Sequence, residues 1–593
     1  MSRPSVEVER RPDGSILMRN PQPLAPYPRV MTERFAEALS ACPTRIFLGE
    51  RGENGAWHTI TYAEAEARVR ALGQALLDSG LSRDRPLAIL SAGSIAHALM
   101  ALAASHVGIP YCPVSPAYSL LATNFEKLAH VIDVVRPGMI FVENEEDFAP
   151  ALARISKDGV VVVTSRAAPG TMLSLAELAE TTPTARVDEA HRGIAPDDTR
   201  SILFTSGTTG RPKGVITTHR MTTANQQMFL QTFPEFGREP PVVLSWLPWH
   251  HTSGANSILG SVLYNLGTLW IDNGRPVDGP PMQETIRNLQ DIAPTAYFTA
   301  PSGFRLLAKA LRDDESLRRR FFSRLSFFFY SGAAMPEALV QEMDAISELE
   351  TGRRVPLYSC YGATETAPFA LAVNWSGASG GCVGLPMPGV TLKLAPLDGA
   401  SVLEARLKGP SVTPGYWGDA DATAQAFDDE DFYRFGDVLA PLDPLDMSKG
   451  LVFDGRIGEN FKLATGTWVN VAGLRDRLIT AANGCVVDAV IAGEGQLEVG
   501  ALVFPNPNYP SGAQSLRSEL GAALRAISSG ATGSSTFIAR ALLLAAPPDA
   551  AAGEMTDKGA VSQKAVLRNR AHEVARLFAA PRHPDVISPD GDG

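Results

Sequence analysis

The densest concentration of chemistry in the chain is Ser206-Gly207-Thr208-Thr209-Gly210-Arg211-Pro212-Lys213-Gly214. Its glycines let the backbone turn tightly and aim N–H groups at an anion, while its hydroxyls and Lys213 are donors of the kind that hold polyphosphate oxygens. Apolar, β-branched runs flank it at residues 201–205 and 215–218, so strand–loop–strand is expected, with Thr205 at the loop's mouth. A plain hairpin loop needs far fewer donors. No Gly-Lys-Ser/Thr follows at the Walker A spacing, which disfavours an ordinary P-loop NTPase.

Further stretches carry chemistry downstream. Trp246-Leu247-Pro248-Trp249-His250-His251-Thr252-Ser253-Gly254 sets two histidines among aromatic rings, and Ser331-Gly332-Ala333-Ala334 is a run of small residues. Tyr361-Gly362-Ala363-Thr364-Glu365 follows a strand expected at 355–360. Tyr433-Arg434-Phe435-Gly436-Asp437 and Asp454-Gly455-Arg456 come later, with Gly409-Pro410-Ser411-Val412-Thr413-Pro414-Gly415-Tyr416-Trp417 before them. Singly, each has a bland reading: a lone histidine in an apolar run is usually a satisfied core group, and a Gly-Asp pair is usually a turn.

In this order, the stretches resemble the adenylate-forming superfamily of acyl-CoA synthetases, peptide-synthetase adenylation domains and luciferases, over essentially the whole chain. The resemblance implies that Thr205, Ser206, Gly207, Thr208, Thr209 and Lys213 cradle the β- and γ-phosphates of ATP. It implies that Ala334, Tyr361 and Gly362 border the adenine, that Thr364 bonds the α-phosphate, and that Asp437 and Arg456 hold the ribose. Glu365 is implied as the Mg²⁺ carboxylate, and a carboxylate beside phosphates makes electrostatic sense with a cation between them. His251 takes the family's pocket histidine position, with a weaker case for His250. Arg456 to Gly466 resembles the inter-domain hinge, with Glu459 where the family usually has Asp. The catalytic lysine near the family's C-terminus is assigned to Lys558, in Thr556-Asp557-Lys558-Gly559, with Lys564 as the alternative that would begin a helix.

The elements that must position these residues are equally readable. A helix is expected from Thr61 to Gly80, a strand at 87–90, a helix through 99–106, another near 128–135, and strands at 139–142 and 160–164. Such alternation predicts an α/β protein: a large N-terminal domain of parallel or mixed sheets covered by helices, then a small mobile α+β domain. The boundary is placed at 456/457, giving residues 1–456 the ATP and carboxylate sites and 457–593 the lid with the catalytic lysine. Residues 1–30, polar and proline-rich, read as an extended lead-in.

The 593 residues exceed one core, and 45% hydrophobic with 20% charged residues is ordinary for a soluble globular protein. A net charge of −11 argues against nucleic acid as a partner. Five scattered cysteines without a CxxC pair, no signal-peptide core and no long apolar run lead to the expectation of a cytoplasmic protein without a membrane partner. The oligomeric state stays open, a homodimer being one candidate.

The implied reaction is ATP-dependent: a carboxylate attacks the α-phosphate to give an acyl-adenylate, and coenzyme A then takes the acyl group. Residues 23–28 and 107–119, Gly466-Thr467-Trp468-Val469 and the Thr-Asp-Lys-Gly turn resemble feruloyl-CoA synthetases, so ferulate and related hydroxycinnamates are the expected acids. Pocket candidates are His250, Tyr297, Thr299, Ser331, Ala333 and Tyr358. Other aryl or medium-chain acyl-CoA ligases and a carrier-protein-loading adenylating enzyme remain alternatives, as does a non-catalytic nucleotide-binding relative.

Overall fold

Strands buried on both faces and helices apolar on one stripe assemble into an α/β architecture of two compact units. The first comprises Met1–Lys393, Arg406–Arg434 and Pro441–Val452; the second comprises Leu394–Ala405, Phe435–Ala440 and Phe453–Gly593. The computed structural model describes residues 4–122, 124–155, 158–166, 172–205, 211–378, 381–397, 402–507, 509–510, 512–529, 533–549, 552–555 and 561–589.

In the first unit a seven-stranded sheet runs in the order Lys213–Thr218, Thr199–Thr205, Tyr111–Pro113, Leu87–Leu90, Met139–Asn144, Val161–Arg166, Leu173–Ser174. Its neighbours are parallel except the first pair, an antiparallel ladder that brings Thr205 opposite Lys213. Helix Tyr62–Asp78 starts at a capping box, in which the Thr61 hydroxyl accepts the Glu64 N–H (3.3 Å) and Glu64 accepts the Thr61 N–H (2.8 Å). The helix expected at 99–106 begins earlier, at Ile95, because Ser94 caps it by accepting the His97 N–H.

A second group of strands, Ala296–Thr299, Phe327–Tyr330 and Leu357–Gly362, is parallel, continued antiparallel by Phe369–Val373 and Cys382–Pro386. Its aromatic residues alternate with the pleat: Phe298, Phe327 and Phe329 meet Phe229, Phe233 and Phe236, whereas Phe328 meets Phe304, Phe321 and Phe322. The strand expected at 355–360 is shifted, so that Tyr361 and Gly362 lie within it.

The proline-rich lead-in is corrected. It contains a hairpin, Glu7–Arg10 with Ile16–Arg19, whose Ile16, Leu17 and Met18 are buried. Asp13 closes the turn by accepting the N–H and hydroxyl of Ser15 (2.9 and 2.7 Å), and Gly14 takes φ +82°. The Pro-Asp-Gly turn signal and the apolar triplet outweigh the overall polarity.

The second unit holds the sheet Val486–Ala492, Gly500–Pro505, Arg540–Leu543, Val586–Ile587. Ala501 and Val503 pack toward Leu474, Leu478, Leu520 and Leu524 of helices Val471–Ala481 and Ala513–Ser528. Leu502 and Phe504 face Val566 and Leu577 of helices Gln563–Asn569 and Ala571–Leu577. Among the described residues, no helix is long and apolar enough to cross a membrane.

Candidate active site

Chemistry in the first unit gathers where strands end. Ser206, Gly207, Thr208 and Thr209 of the glycine-rich loop lie outside the described residues, as does Lys558. The two ends of the loop are in view. Thr205 and Lys213 face each other across the ladder, and a Cβ at Gly214 would approach Ile202 to 2.9 Å, so glycine is needed there. His130 Nε2 donates to the Pro212 carbonyl at 2.9 Å, fixing the outgoing end.

Residues 413–417 dock beside that outgoing strand. The Ile216 N–H donates to Gly415 O (3.1 Å) and the Trp417 N–H to Gly214 O (2.7 Å). This places the Tyr416 ring 5.2 Å from Lys213 Nζ and the Tyr416 hydroxyl 3.2 Å from Glu365 Oε1. Tyr433 adds its hydroxyl, 3.2 Å from that of Tyr416, and also hydrogen-bonds Glu365. The Thr413 N–H donates to the Glu365 backbone carbonyl at 2.8 Å. Burial and the nearby Glu365 carboxylate push both tyrosine hydroxyls far above their ordinary pKa, so they remain protonated donors. Lys213, Tyr416, Tyr433 and Glu365 therefore form one constellation, with Thr364 half-buried beside it in the turn Thr364–Thr366.

The sequence points to Lys213 and Glu365 but not to the tyrosines that hold Glu365. The signal was present: Tyr416 and Tyr433 both lie inside the motif stretches 409–417 and 433–437, yet the contact joins elements far from Glu365 in the chain.

The carboxyl ends of the aromatic strands carry the small-residue segment. Ser331 is half-buried, and Gly332 (φ +88°), Ala333 and Ala334 are exposed, directly after Phe327–Tyr330. Tyr361 is half-buried on the neighbouring strand. At Gly362 a Cβ would come within 1.8 Å of the Pro368 carbonyl, which excludes any side chain. Thr299 is buried and its hydroxyl accepts the Trp246 indole N–H at 3.2 Å, a contact between separate segments of the chain that the sequence did not show.

Two pocket candidates are corrected. Tyr358 is in register with Phe329 and Phe298, the face opposite Tyr297 and Thr299, and its ring packs on Phe233 (5.0 Å) and Phe327 (5.4 Å). Tyr297 shares the Thr299 face but is enclosed by Phe304 and Phe321 in the core. Aromatic residues with polar tips look like pocket fixtures in sequence; strand alternation turns Tyr358 away, and packing against Phe304 and Phe321 takes Tyr297 into the core.

His250 and His251 are both half-buried, their rings 4.3 Å apart. Behind them Trp249 is buried, edge-on to His97 at 5.2 Å. His97 Nδ1 lies 2.9 Å from the Ser91 hydroxyl, and burial lowers its pKa to about 4.

In the second unit, Asp437 is buried and accepts an ion pair from Arg456 Nε at 3.1 Å, while Arg456 is largely exposed. The Ile457 N–H donates to Gly436 O (2.9 Å), tying the segment that carries Glu459 to the Asp437 strand. Glu459 is half-buried. Lys564 is exposed near the start of Gln563–Asn569, as its sequence setting indicated.

All five cysteines are free thiols. Burial raises the pKa of Cys112 and Cys360, so neither is a ready nucleophile.

Comparison with known proteins agrees with this geometry. A family model described as AMP-binding enzyme matches residues 35–417, and one described as AMP-binding enzyme C-terminal domain matches residues 460–582. A malonate–CoA ligase of Arabidopsis thaliana is 28% identical over 258 residues, covering 41% of this chain and 40% of that protein. A 3-hydroxybenzoate–CoA ligase of Aromatoleum sp. is 27% identical over 486 residues, covering 78% of this chain and 84% of that protein. Among solved structures, ATP-bound MatB from Rhodopseudomonas palustris superposes with a TM-score of 0.67 at 22% identity, covering 91% of this chain and 99% of that one. With the family model covering more than half of its length, the chain belongs to the AMP-binding enzyme family.

Proposed function

We propose that the protein is an ATP-dependent, AMP-forming carboxylate–CoA ligase that works through an acyl-adenylate. The observation that carries this reading is the convergence of Lys213, Tyr416 and Glu365 at the carboxyl end of the strand leading to the glycine-rich loop, inside an AMP-binding enzyme. Lys213 and the loop would hold the leaving pyrophosphate, Thr364 the α-phosphate, and Asp437 with Arg456 the ribose. Tyr361 and the segment from Ser331 to Ala334 would border the adenine and the acyl group. Such a reaction needs no covalent nucleophile from the protein: positioning and charge stabilisation at the α-phosphorus suffice, with Lys558 as the lysine that completes the adenylating state. Rotation about Glu459 would then exchange that lysine for a thiol path, the moving part being the segment that follows residue 456 rather than the whole of the second compact unit.

The residues fit Mg²⁺. Glu365 is a buried carboxylate oriented by two hydroxyls, and among the described residues no group of three His, Cys, Asp or Glu builds an all-protein cage. One carboxylate plus substrate phosphates is the donor set that Mg²⁺ accepts. When bound, the ion neutralises phosphate charge.

The acid is proposed to be aromatic, with ferulate and related hydroxycinnamates first. Support comes from the Trp246–Thr299 contact at the end of the aromatic strands, the small side chains of Ser331 and Ala333 that follow a neighbouring strand, and likeness to a ligase named for 3-hydroxybenzoate. The test is AMP formation with CoA across ferulate, p-coumarate, 3-hydroxybenzoate, benzoate, octanoate and malonate. Ferulate should rank highest. Ferulate ranking last sinks the hydroxycinnamate assignment, and AMP from none of the acids sinks the ligase reading.

A further inference from the structure

Two backbone irregularities in the first unit meet through one side-chain contact. The first is in the strand Thr199–Thr205, where Thr199 pairs with Thr218 but Ser201 pairs with Thr217. Arg200 is therefore the extra residue of a β-bulge, a device that re-aims a side chain. The second is the π-helical stretch Ser253–Leu259, a geometry that is rare and concentrated at functional sites. Arg200 Nη1 donates to Asn256 Oδ1, in the middle of that stretch, at 3.1 Å.

Asn256 passes the contact on. Its Nδ2 donates to Thr252 Oγ1 at 3.1 Å, and Gln226 Nε2 holds its backbone carbonyl at 2.7 Å. Thr252 directly follows His251, whose own carbonyl accepts the N–H groups of Gly254 (3.1 Å) and Ala255 (3.0 Å). The chain of contacts thus runs from the strand that enters the glycine-rich loop to the turn that carries His250 and His251.

Arg200 is an expensive group to use for structure alone. It is 2% exposed, and among the described residues no carboxylate lies within ion-pairing distance of it. Its surroundings are the Tyr111 ring, 5.3 Å from the guanidinium, and the amide of Asn256. His219, buried close by, is kept neutral by its own burial and by the arginine's charge, so it adds no second cation. A buried guanidinium without a carboxylate is destabilising, and an apolar side chain of similar volume in its place is commonly neutral or stabilising. Local rules broken at a cost to stability are a mark of positioning for function.

We propose that Arg200 is a positioning residue: through Asn256 and Thr252 it holds the His250–His251 turn in register with the phosphate-side strand. The proposal rests on the ligase reading above. It is tested with Arg200→Met and, because a core variant can fail to fold, with Asn256→Leu, which breaks the same bond from the other side. Urea unfolding, pyrophosphate exchange kinetics and hydrogen exchange are measured on the full chain.

Arg200→Met should keep or raise the unfolding midpoint, yet lose about tenfold to a hundredfold in kcat of adenylation with little change in KM for ATP, the scale of a displaced site segment. Asn256→Leu should lose a similar factor, and the double variant no more than either single one, because both remove one contact. Wild-type kinetics in Arg200→Met, or activity lost only in step with stability, overturns the proposal. If the wild-type protein turns over no acid in the panel, the ligase reading has failed separately. Hydrogen exchange then decides: faster exchange confined to residues 250–259 in Arg200→Met supports the strut, and unchanged exchange overturns it.

Discussion

Two buried carboxylates in the first unit solve the same problem in opposite ways. Asp428 is met by cations: Lys393 Nζ at 3.1 Å and Arg406 Nη1 at 3.0 Å, with the N–H groups of Glu430 (3.0 Å) and Phe432 (2.9 Å) completing its shell. Burial acts to raise its pKa, but the Phe432 N–H, Arg406 and Lys393 win and hold it at about 2. Glu365 is met by the hydroxyls of Tyr416 and Tyr433. Hydroxyls orient a carboxylate without cancelling its charge, whereas ammonium and guanidinium groups cancel it. The first arrangement closes a structural cluster, and the second aims a carboxylate with two tyrosine hydroxyls, one of them on the ring that lies against Lys213, the arrangement that supports the proposed Mg²⁺ site.

The sharpest way to break this contrast is Glu365→Gln, which keeps the shape and removes the charge. Pyrophosphate release should fall on the order of 10²–10³-fold with folding unchanged, the scale of losing one preorganised charge-stabilising group. A rate within twofold of wild type would end the comparison. Asp428→Ala should behave in the reverse sense, costing roughly 3 kcal/mol in urea unfolding by taking the buried carboxylate from Lys393 and Arg406 and leaving Lys393 only the more exposed Glu430, while the folded fraction keeps its turnover. Equal losses of activity in both variants would mean that the two sites do not differ as described.

Tyr416→Phe sharpens the contrast from the supporting side. The Mg²⁺ concentration for half-maximal rate should rise about tenfold, as for loss of an outer-shell partner, with kcat at saturating Mg²⁺ largely kept. An unchanged Mg²⁺ dependence would remove Tyr416 from that role.

The smallest expected effect is on pH dependence. Asp428 has a folded pKa depressed to about 2 from 3.8, so its contribution is complete above 3.8 and is lost as pH falls toward 2. His97 is depressed to about 4 from 6.5, so between those values the unfolded chain binds the extra proton and stability drops as pH falls from 6.5. Replacing His97 by Phe should reduce the slope of unfolding free energy against pH in that window by one proton. A slope that does not change would show that His97 does not set it.

Much of the architecture is legible in the chain because it rests on local pattern. The helix at Tyr62–Asp78 announces itself through Thr61 and Glu64, and the strands at 87–90 and 139–144 through short apolar runs between turn residues. Glu365, Asp437 and Lys213 are legible for a different reason: each sits in a short motif whose order along the chain carries the family resemblance. The hairpin Glu7–Arg10/Ile16–Arg19 was hidden by nearby prolines, although its turn chemistry was in plain sight.

Pairing across the fold is another matter. Tyr297 and Tyr358 are alike in sequence context, yet the strand pleat turns them to opposite faces and buries both among phenylalanines. Tyr416 reaches Glu365 because residues 413–417 pair with Gly214 and Ile216, a contact no local window contains. By itself the sequence determined the α/β class, the order of the motifs and the residue types available for nucleotide chemistry, since helix and strand periodicity and motif spacing are local properties. Only the tertiary structure decided which hydroxyls hold Glu365, which aromatics are core, and that a bulge at Arg200 meets a π-turn at Asn256, because those depend on register and on which face each strand presents.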